Sequence, residues 1–425
     1  MASLVTSKFR VHNAQQFAEA FSETSNTIMY LFIGKNTSFP NDNSPPTPIN
    51  STANIEYTPW RDMYAAKRIS TADVTHAIER YNWTSGTVYD QYDDQDTDLL
   101  DDDFYVMTED YNVYKCLFNA SATASTTKPT GVSTSPFTTA DGYIWKYMYT
   151  VTTAKALKFL TNDYIPVQTL IADDSTDQWD VQTAAVDGGI HVIKVTAGGS
   201  GYATAPAVTI TGDGTGATAN STITANVVTA VTITAAGTGY TRATVSFASG
   251  AAAATAIISP KGGHGSDAVE ELGGKFIMLN VRLDGTESNT FSTANEFRQV
   301  GIVRDPYLYG TTTRAVASSF RQSFKYQLSS ISGTFTVDET ITSGSNTASL
   351  IEFTTPNLFT TLPVHLPFAN TASVAGGTSS ATGTIAAITT PGLQPYSGDI
   401  IYVENRVPIS RADDQIEDVK LVVQF

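Results

Sequence analysis

Cysteine is almost missing. Cys116 is the one thiol in 425 residues, so no intrachain disulfide can form, and the usage suits a reducing compartment. Positive charge is also scarce. Lys and Arg total 25 against 41 Asp and Glu, for a net charge of −16 and a pI near 4.6. Nucleic acid needs a Lys/Arg footprint for its phosphates, and anionic lipid needs a basic cluster. Neither partner is expected. No apolar run approaches the roughly 20 residues that span a bilayer. The opening Met1–Lys8 lacks a charged region followed by an apolar one, so no secretion signal is expected.

Chemical motifs are sparse as well. The histidines, His12, His76, His191, His264 and His365, are scattered without metal-ligand spacing. There is no Gly-x-Ser-x-Gly elbow. Gly262-Gly263-His264-Gly265 follows no parallel-sheet pattern and reads as a hinge rather than a phosphate cradle. Asp90–Asp103 holds eight aspartates, and Asp94, Asp96 and Asp98 match the first ligands of an EF-hand loop. Leu99 stands where the turn needs Gly, and Tyr105 where the bidentate Glu belongs. The run reads as a solvated acidic loop. No catalytic residue, cofactor or metal is expected.

What is present is β-forming. Hydrophobic residues make up 41% of the chain, enough for real cores, and the length predicts two or three domains. Asp141–Val151 alternates: Tyr143, Trp145, Tyr147 and Tyr149 against Ile144, Lys146, Met148 and Thr150. That period of two predicts a strand with an aromatic face for a core or a subunit interface. Strands are also predicted at Ile28–Ile33, Phe104–Met107, Val113–Leu117, Tyr164–Val167, Phe276–Leu283, Gln299–Val303 and Val419–Phe425. Helices are predicted at Ala14–Glu23, capped by Asn13, and from Pro59 through Trp60, Met63, Tyr64 and Lys67. A further one is predicted from Ser70 to Ile78.

Composition changes near Gly188. Ile193–Tyr202, ending Gly-Ser-Gly-Tyr, is echoed by Val231–Tyr240, ending Gly-Thr-Gly-Tyr. Each copy reads as a hairpin-rich β module. The predicted architecture is mainly β with a few short flanking helices: a multidomain, sandwich- or barrel-like core closed by N- and C-terminal strands. The core comprises residues 1–187, 264–324 and 393–425, with Ser/Thr/Gly-rich β inserts at 188–263 and 325–392. The closing strand, Val419–Phe425, is expected in one domain with Thr27–Ile33 and Asp141–Val151.

Some segments have a further likeness. They are Val5–Arg10, Val113–Leu117, Asp141–Tyr147, Asn162–Ile165, Phe297–Gln299 with Pro306, Ile401–Ile409 and Asp414–Glu417. In that order they resemble a baseplate wedge subunit of T-even-like contractile-tailed bacteriophages. The likeness leaves out both inserts. It implies a mainly β structural protein of the virion tail baseplate, assembled in the host bacterial cytoplasm. It further implies a homodimer, other wedge subunits as partners and no catalytic residues. Glu404, Asn405 and Arg406 lie in the densest matching segment and are structural or interface candidates, beside Tyr143, Trp145, Tyr147 and Tyr149. A different class of reading, motivated by the repeat inserts and the aromatic strands, is a carbohydrate- or receptor-binding tail protein, with the aromatic stripe stacking on sugar rings. A third is a polysaccharide-degrading enzyme, resting only on abundant carboxylates.

Overall fold

The computed structural model describes residues 3–23, 27–365 and 367–425; Met1 and Ala2 of the opening segment lie outside them. The chain is mainly β, with 41% strand and 11% helix. It forms several sheets and a small closed barrel. It divides into two units. The first comprises Met1–Gln16, Thr75–Met278 and Val422–Phe425; the second comprises Phe17–Val74 and Leu279–Leu421. The segments expected to form one core thus fall into both units.

In the first unit, Tyr105–Met107, Asn112–Phe118, Ile144–Thr150 and Phe137–Thr138 make an antiparallel sheet. Ile144–Thr150 occupies an interior position, and its residues 145–149 are buried on both faces. The aromatic stripe is broken within it. Tyr114 sits opposite Tyr147 and Val113 opposite Tyr149, so Met148 is an extra residue in a bulge. A bulge turns the following side chain onto the face of the residue before it. Tyr143, Trp145 and Tyr147 therefore share one cluster with Tyr89, Tyr114 and Cys116. Tyr149 joins Met148 in the other, with Phe104, Leu117 and Ile165.

The second unit is built on a five-stranded antiparallel sheet. Its order is Ser319–Arg321, Met63–Arg68, Met29–Gly34, Phe297–Arg304, Asp399–Ile409. Met29–Gly34 is buried throughout, as a central strand with an unbroken apolar run should be. Gly301 is needed there. A Cβ at that position would come within 2.3 Å of Phe32 Cζ and 2.4 Å of the Tyr402 carbonyl.

The helix predictions need correction. The first helix is Ser7–Glu19, and Thr6 Oγ1 accepts from Phe9 N at 3.2 Å at its start; Asn13 is mid-helix. The next ends at Asp62, and Met63–Arg68 is a strand. Thr71–Asp73 is one 3₁₀ turn before the strand Val74–Glu79. Residues 63–66 are all buried, so their periods of three and four reflect burial on every side. Pairing with Met29–Gly34 and Ser319–Arg321 overrides that pattern. The closing strand, Ile416–Gln424, also lies elsewhere than expected. It belongs to neither sheet described above, and the strands Met29–Gly34 and Ile144–Thr150 are in different units.

The two small-residue segments fold differently. Residues 324–389 form the closed barrel. Phe324–Ser332 pairs with both Asn357–Thr360 and Thr382–Thr389, and the ring runs on through Asn346–Thr354, Thr340–Ser343 and Ser373–Gly376. At its base the buried Gln322 side chain donates to Leu393 O at 3.0 Å and accepts from Leu393 N at 2.9 Å.

Residues 190–258 form three two-stranded sheets by exchange. Ile190–Ala197 pairs with Ala253–Ile258, Val208–Gly212 with Ala243–Phe247, and Thr215–Thr224 with Val227–Thr238. The first three strands are one sequence repeat and the last three the other. Swapping the repeats maps this pairing onto itself. The repeats are therefore interlocked halves of a pseudo-two-fold unit rather than separate hairpin modules. At the entry to this segment Gly189 N donates to Ser259 Oγ at 3.0 Å, and Ser259 N to Gly189 O at 2.9 Å.

Candidate functional site

Tyr143, Trp145, Tyr147 and Tyr149 are each 2% exposed or less. They are core side chains. Tyr143 and Trp145 stack at 5.4 Å, and Tyr149 donates to the Pro166 carbonyl at 3.1 Å. None can stack on a sugar or meet a partner without unfolding the sheet. The turn before the strand is fixed by Asp141. Its carboxylate accepts from Thr126 N at 2.7 Å, Thr127 N at 2.8 Å and Thr139 Oγ1 at 2.5 Å. Partial burial works against the anion, but these donors outweigh it and hold the carboxyl down to about 2. The loop 120–139 is thereby pinned to the strand's start.

Glu404, Asn405 and Arg406 lie in the second unit on Asp399–Ile409. Arg406 Nε donates to Glu404 Oε1 at 2.7 Å, its Nη2 to Lys420 O at 3.1 Å, and Tyr402 OH to Glu404 Oε2 at 2.8 Å. These three alternate residues share one face. On the other, Gln299 donates to Asn405 Oδ1 at 2.8 Å and Asn405 donates to Pro46 O at 2.8 Å. The densest matching segment thus spends its polar groups on its own unit. It fixes the strand's register and ties in the proline-rich loop.

The acidic run is not uniformly solvated. Asp94 is partly buried and accepts from Ile258 N at 3.2 Å; burial raises its carboxyl above the usual range. Among the described residues no group of His, Cys, Asp or Glu side chains is arranged to hold a metal ion.

In the first unit a cluster of buried ionisable side chains gathers around Lys115 of the strand Asn112–Phe118. Lys115 Nζ donates to Glu271 Oε2 at 2.9 Å, with side-chain exposures of 0% and 2%. The Tyr92 ring lies 4.1 Å from that ammonium. Glu271 Oε1 accepts from Gly265 N at 2.7 Å and Asp267 N at 3.2 Å. His264 Nδ1 is buried, has no hydrogen-bond partner, and lies 4.0 Å from Glu271 Oε2. The His191 ring is tilted against His264, with centroids 5.5 Å apart. Lys146 donates to Thr134 O.

Burial dominates the electrostatics here. It pushes the Lys115 ammonium down against the pull of Glu271, and brings Lys146 to about 8 and His191 to about 4. His264 is driven well below the ordinary imidazole range, with the nearby cations adding to the effect. Lys115, Glu271 and Tyr92 also line a cavity of about 380 Å³, whose rim carries Lys8, Arg10 and Asp98.

Sequence reasoning passed over this cluster. The Gly-rich run read as a hinge is a turn around a buried histidine. The available signal was Lys115 and Lys146 standing mid-strand among apolar and aromatic residues, where an ammonium is seldom buried without a partner. Glu271, 156 positions beyond Lys115, gave no local sign. No family model matches the chain, and no curated protein matches it.

Proposed function

We propose that the chain is a structural subunit of the baseplate wedge of a contractile-tailed phage. It joins neighbouring wedge proteins and takes part in assembly and in the rearrangement on infection. The observation that carries this reading is where the matching segments lie. Phe297–Gln299 pairs with Asn405–Ile409, Gln299 opposite Asn405, and Val113–Leu117 pairs with the strand Ile144–Thr150. Segments that resemble the wedge subunit are thus hydrogen-bonded to each other within each unit, and residues 190–258 and 324–389 enter neither sheet. An acidic surface and a buried aromatic stripe suit a protein that works through its shape.

On this reading the chain is a homodimer in the tail baseplate, built in the host cytoplasm beside other wedge subunits. The carbohydrate-binding alternative loses one of its two supports, because the aromatic stripe is core, and keeps only the repeat segments. The test is light scattering on the purified chain, followed by sedimentation with wedge subunits of the same phage. A dimer of twice 45.4 kDa that enters a stoichiometric complex supports the proposal. A chain that joins no wedge subunit yet binds one glycan saturably overturns it.

A further inference from the structure

A chain with a single cysteine cannot brace itself with a disulfide. The Lys115–Glu271 site has the parts for a different covalent brace. We infer that Lys115 and Glu271 condense spontaneously to an isopeptide bond, in a reaction driven by the groups packed around them.

The two side chains are already held in contact. Lys115 Nζ is 2.9 Å from Glu271 Oε2, with both side chains buried, which removes most of the entropic barrier to a two-group reaction. A buried ion pair in low dielectric is poorly stabilised as ions. Passing one proton from Nζ to Oε2 gives a neutral amine and a neutral acid, with no proton from outside. The amine lone pair then attacks Glu271 Cδ. Charge develops on Oε1, the atom that the Gly265 and Asp267 amides already address at 2.7 and 3.2 Å. Two fixed N–H groups on a developing oxyanion form the arrangement that lowers acyl-transfer barriers.

His264 Nδ1 completes the set. It is a buried ring nitrogen with no partner, 4.0 Å from Oε2, and burial keeps the ring neutral. It takes the proton from the attacking nitrogen and hands it to Oε2. The Cδ–Oε2 bond breaks, one water leaves, and Oε1 returns to a carbonyl. The Nζ–Cδ bond is formed, nothing is oxidised or reduced, and no co-reactant is required. The adjoining cavity of about 380 Å³ receives the water. The product links strand Asn112–Phe118 to the turn at Ala268–Glu271.

The experiment is intact mass measurement on the purified full-length chain under denaturing conditions, after prolonged incubation at neutral pH. The expected chain is lighter than its sequence by the mass of one water, with a branched tryptic peptide joining the Lys115 and Glu271 segments. The full sequence mass after incubation would overturn the proposal. Because this reads the wild type, a variant that misfolds does not weaken it. Lys115→Arg is expected to restore the full mass; a variant still lighter by one water places the loss elsewhere and also overturns it. His264→Ala is expected to slow formation of the lighter species by about 10²-fold or more, the usual worth of a positioned acid–base group. An unchanged rate removes His264 from the mechanism.

Discussion

The segments 190–258 and 324–389 have much the same composition, rich in Ser, Thr, Gly and Ala, yet they solve burial differently. The barrel closes on itself and gathers thirteen buried residues among those described, with Phe324, Tyr326, Leu350 and Phe368 at its centre. The repeat segment's own cluster holds five buried residues, and most of the apolar side chains packed against that cluster are only half-buried. Closure removes open edges and creates an inside. The repeat segment instead relies on each half lending strands to the other. Its tyrosines Tyr202 and Tyr240, one per repeat, are its buried aromatic pieces. Small residues thus permit two architectures, and the number of large apolar side chains that face one another selects between them.

The strongest way to break this comparison is in the two cores. Tyr326 is fully buried, stacked on Phe324 at 5.9 Å and hydrogen-bonded through its OH to Phe368 N at 3.2 Å. Tyr326→Ala is expected to cost about 3–5 kcal/mol. Ile233→Ala, on a half-buried strand face of the repeat segment, is expected to cost about 1 kcal/mol. Urea unfolding followed by hydrogen exchange separates the two regions. Equal losses would show that closure contributes nothing beyond pairing.

A charge comes next. Glu339 in the barrel accepts from Thr336 N, Thr378 N, Ser379 N and Ser379 Oγ at 2.7–2.9 Å. Burial would raise its carboxyl, but the donors outweigh burial and lower it. A carboxyl lowered on folding stabilises above its unfolded pKa and loses that contribution as pH falls through the folded value. Glu339→Gln is expected to cost about 1–3 kcal/mol at neutral pH. It should also flatten the barrel's loss of stability below the unfolded carboxyl pKa of 4.5. A parallel acid limb in both proteins would mean that another carboxylate governs it.

In the repeat segment the backbone is the sensitive point. Gly237 has φ +66°, and a Cβ there would sit 2.5 Å from Ala217 N. Gly237→Ala is expected to cost more than about 1 kcal/mol, read as a lowered melting temperature. No change would mean that the interlocked halves slide freely.

The smallest effect tests the pseudo-symmetry. Tyr202 OH accepts from Ala252 N at 2.9 Å and Tyr240 OH from Ala217 N at 3.4 Å. Tyr202→Phe is expected to cost about 1 kcal/mol, and Tyr240→Phe less, in proportion to its longer bond. The reverse order would show that the halves are not equivalent in how they use the ring.

Much of the local structure was legible in the residues alone. Alternation marked Ile144–Thr150, an unbroken apolar run marked Met29–Gly34, and the echo of Gly-x-Gly-Tyr marked a duplicated segment. Those signals are carried by neighbours in sequence, and backbone periodicity is a local property. What lies between distant segments was not legible. Met63–Arg68 and Val74–Glu79 became strands because partners elsewhere in the chain claimed their backbone hydrogen bonds. Tyr149 left the aromatic stripe because pairing with Asn112–Phe118 placed a bulge at Met148. The two repeats exchanged strands, a choice invisible in either copy. Lys115, His264 and Glu271 met because the fold closed over them. Their proximity and desolvation exist only after packing, and those two quantities, absent from any stretch of sequence, set the chemistry of the site.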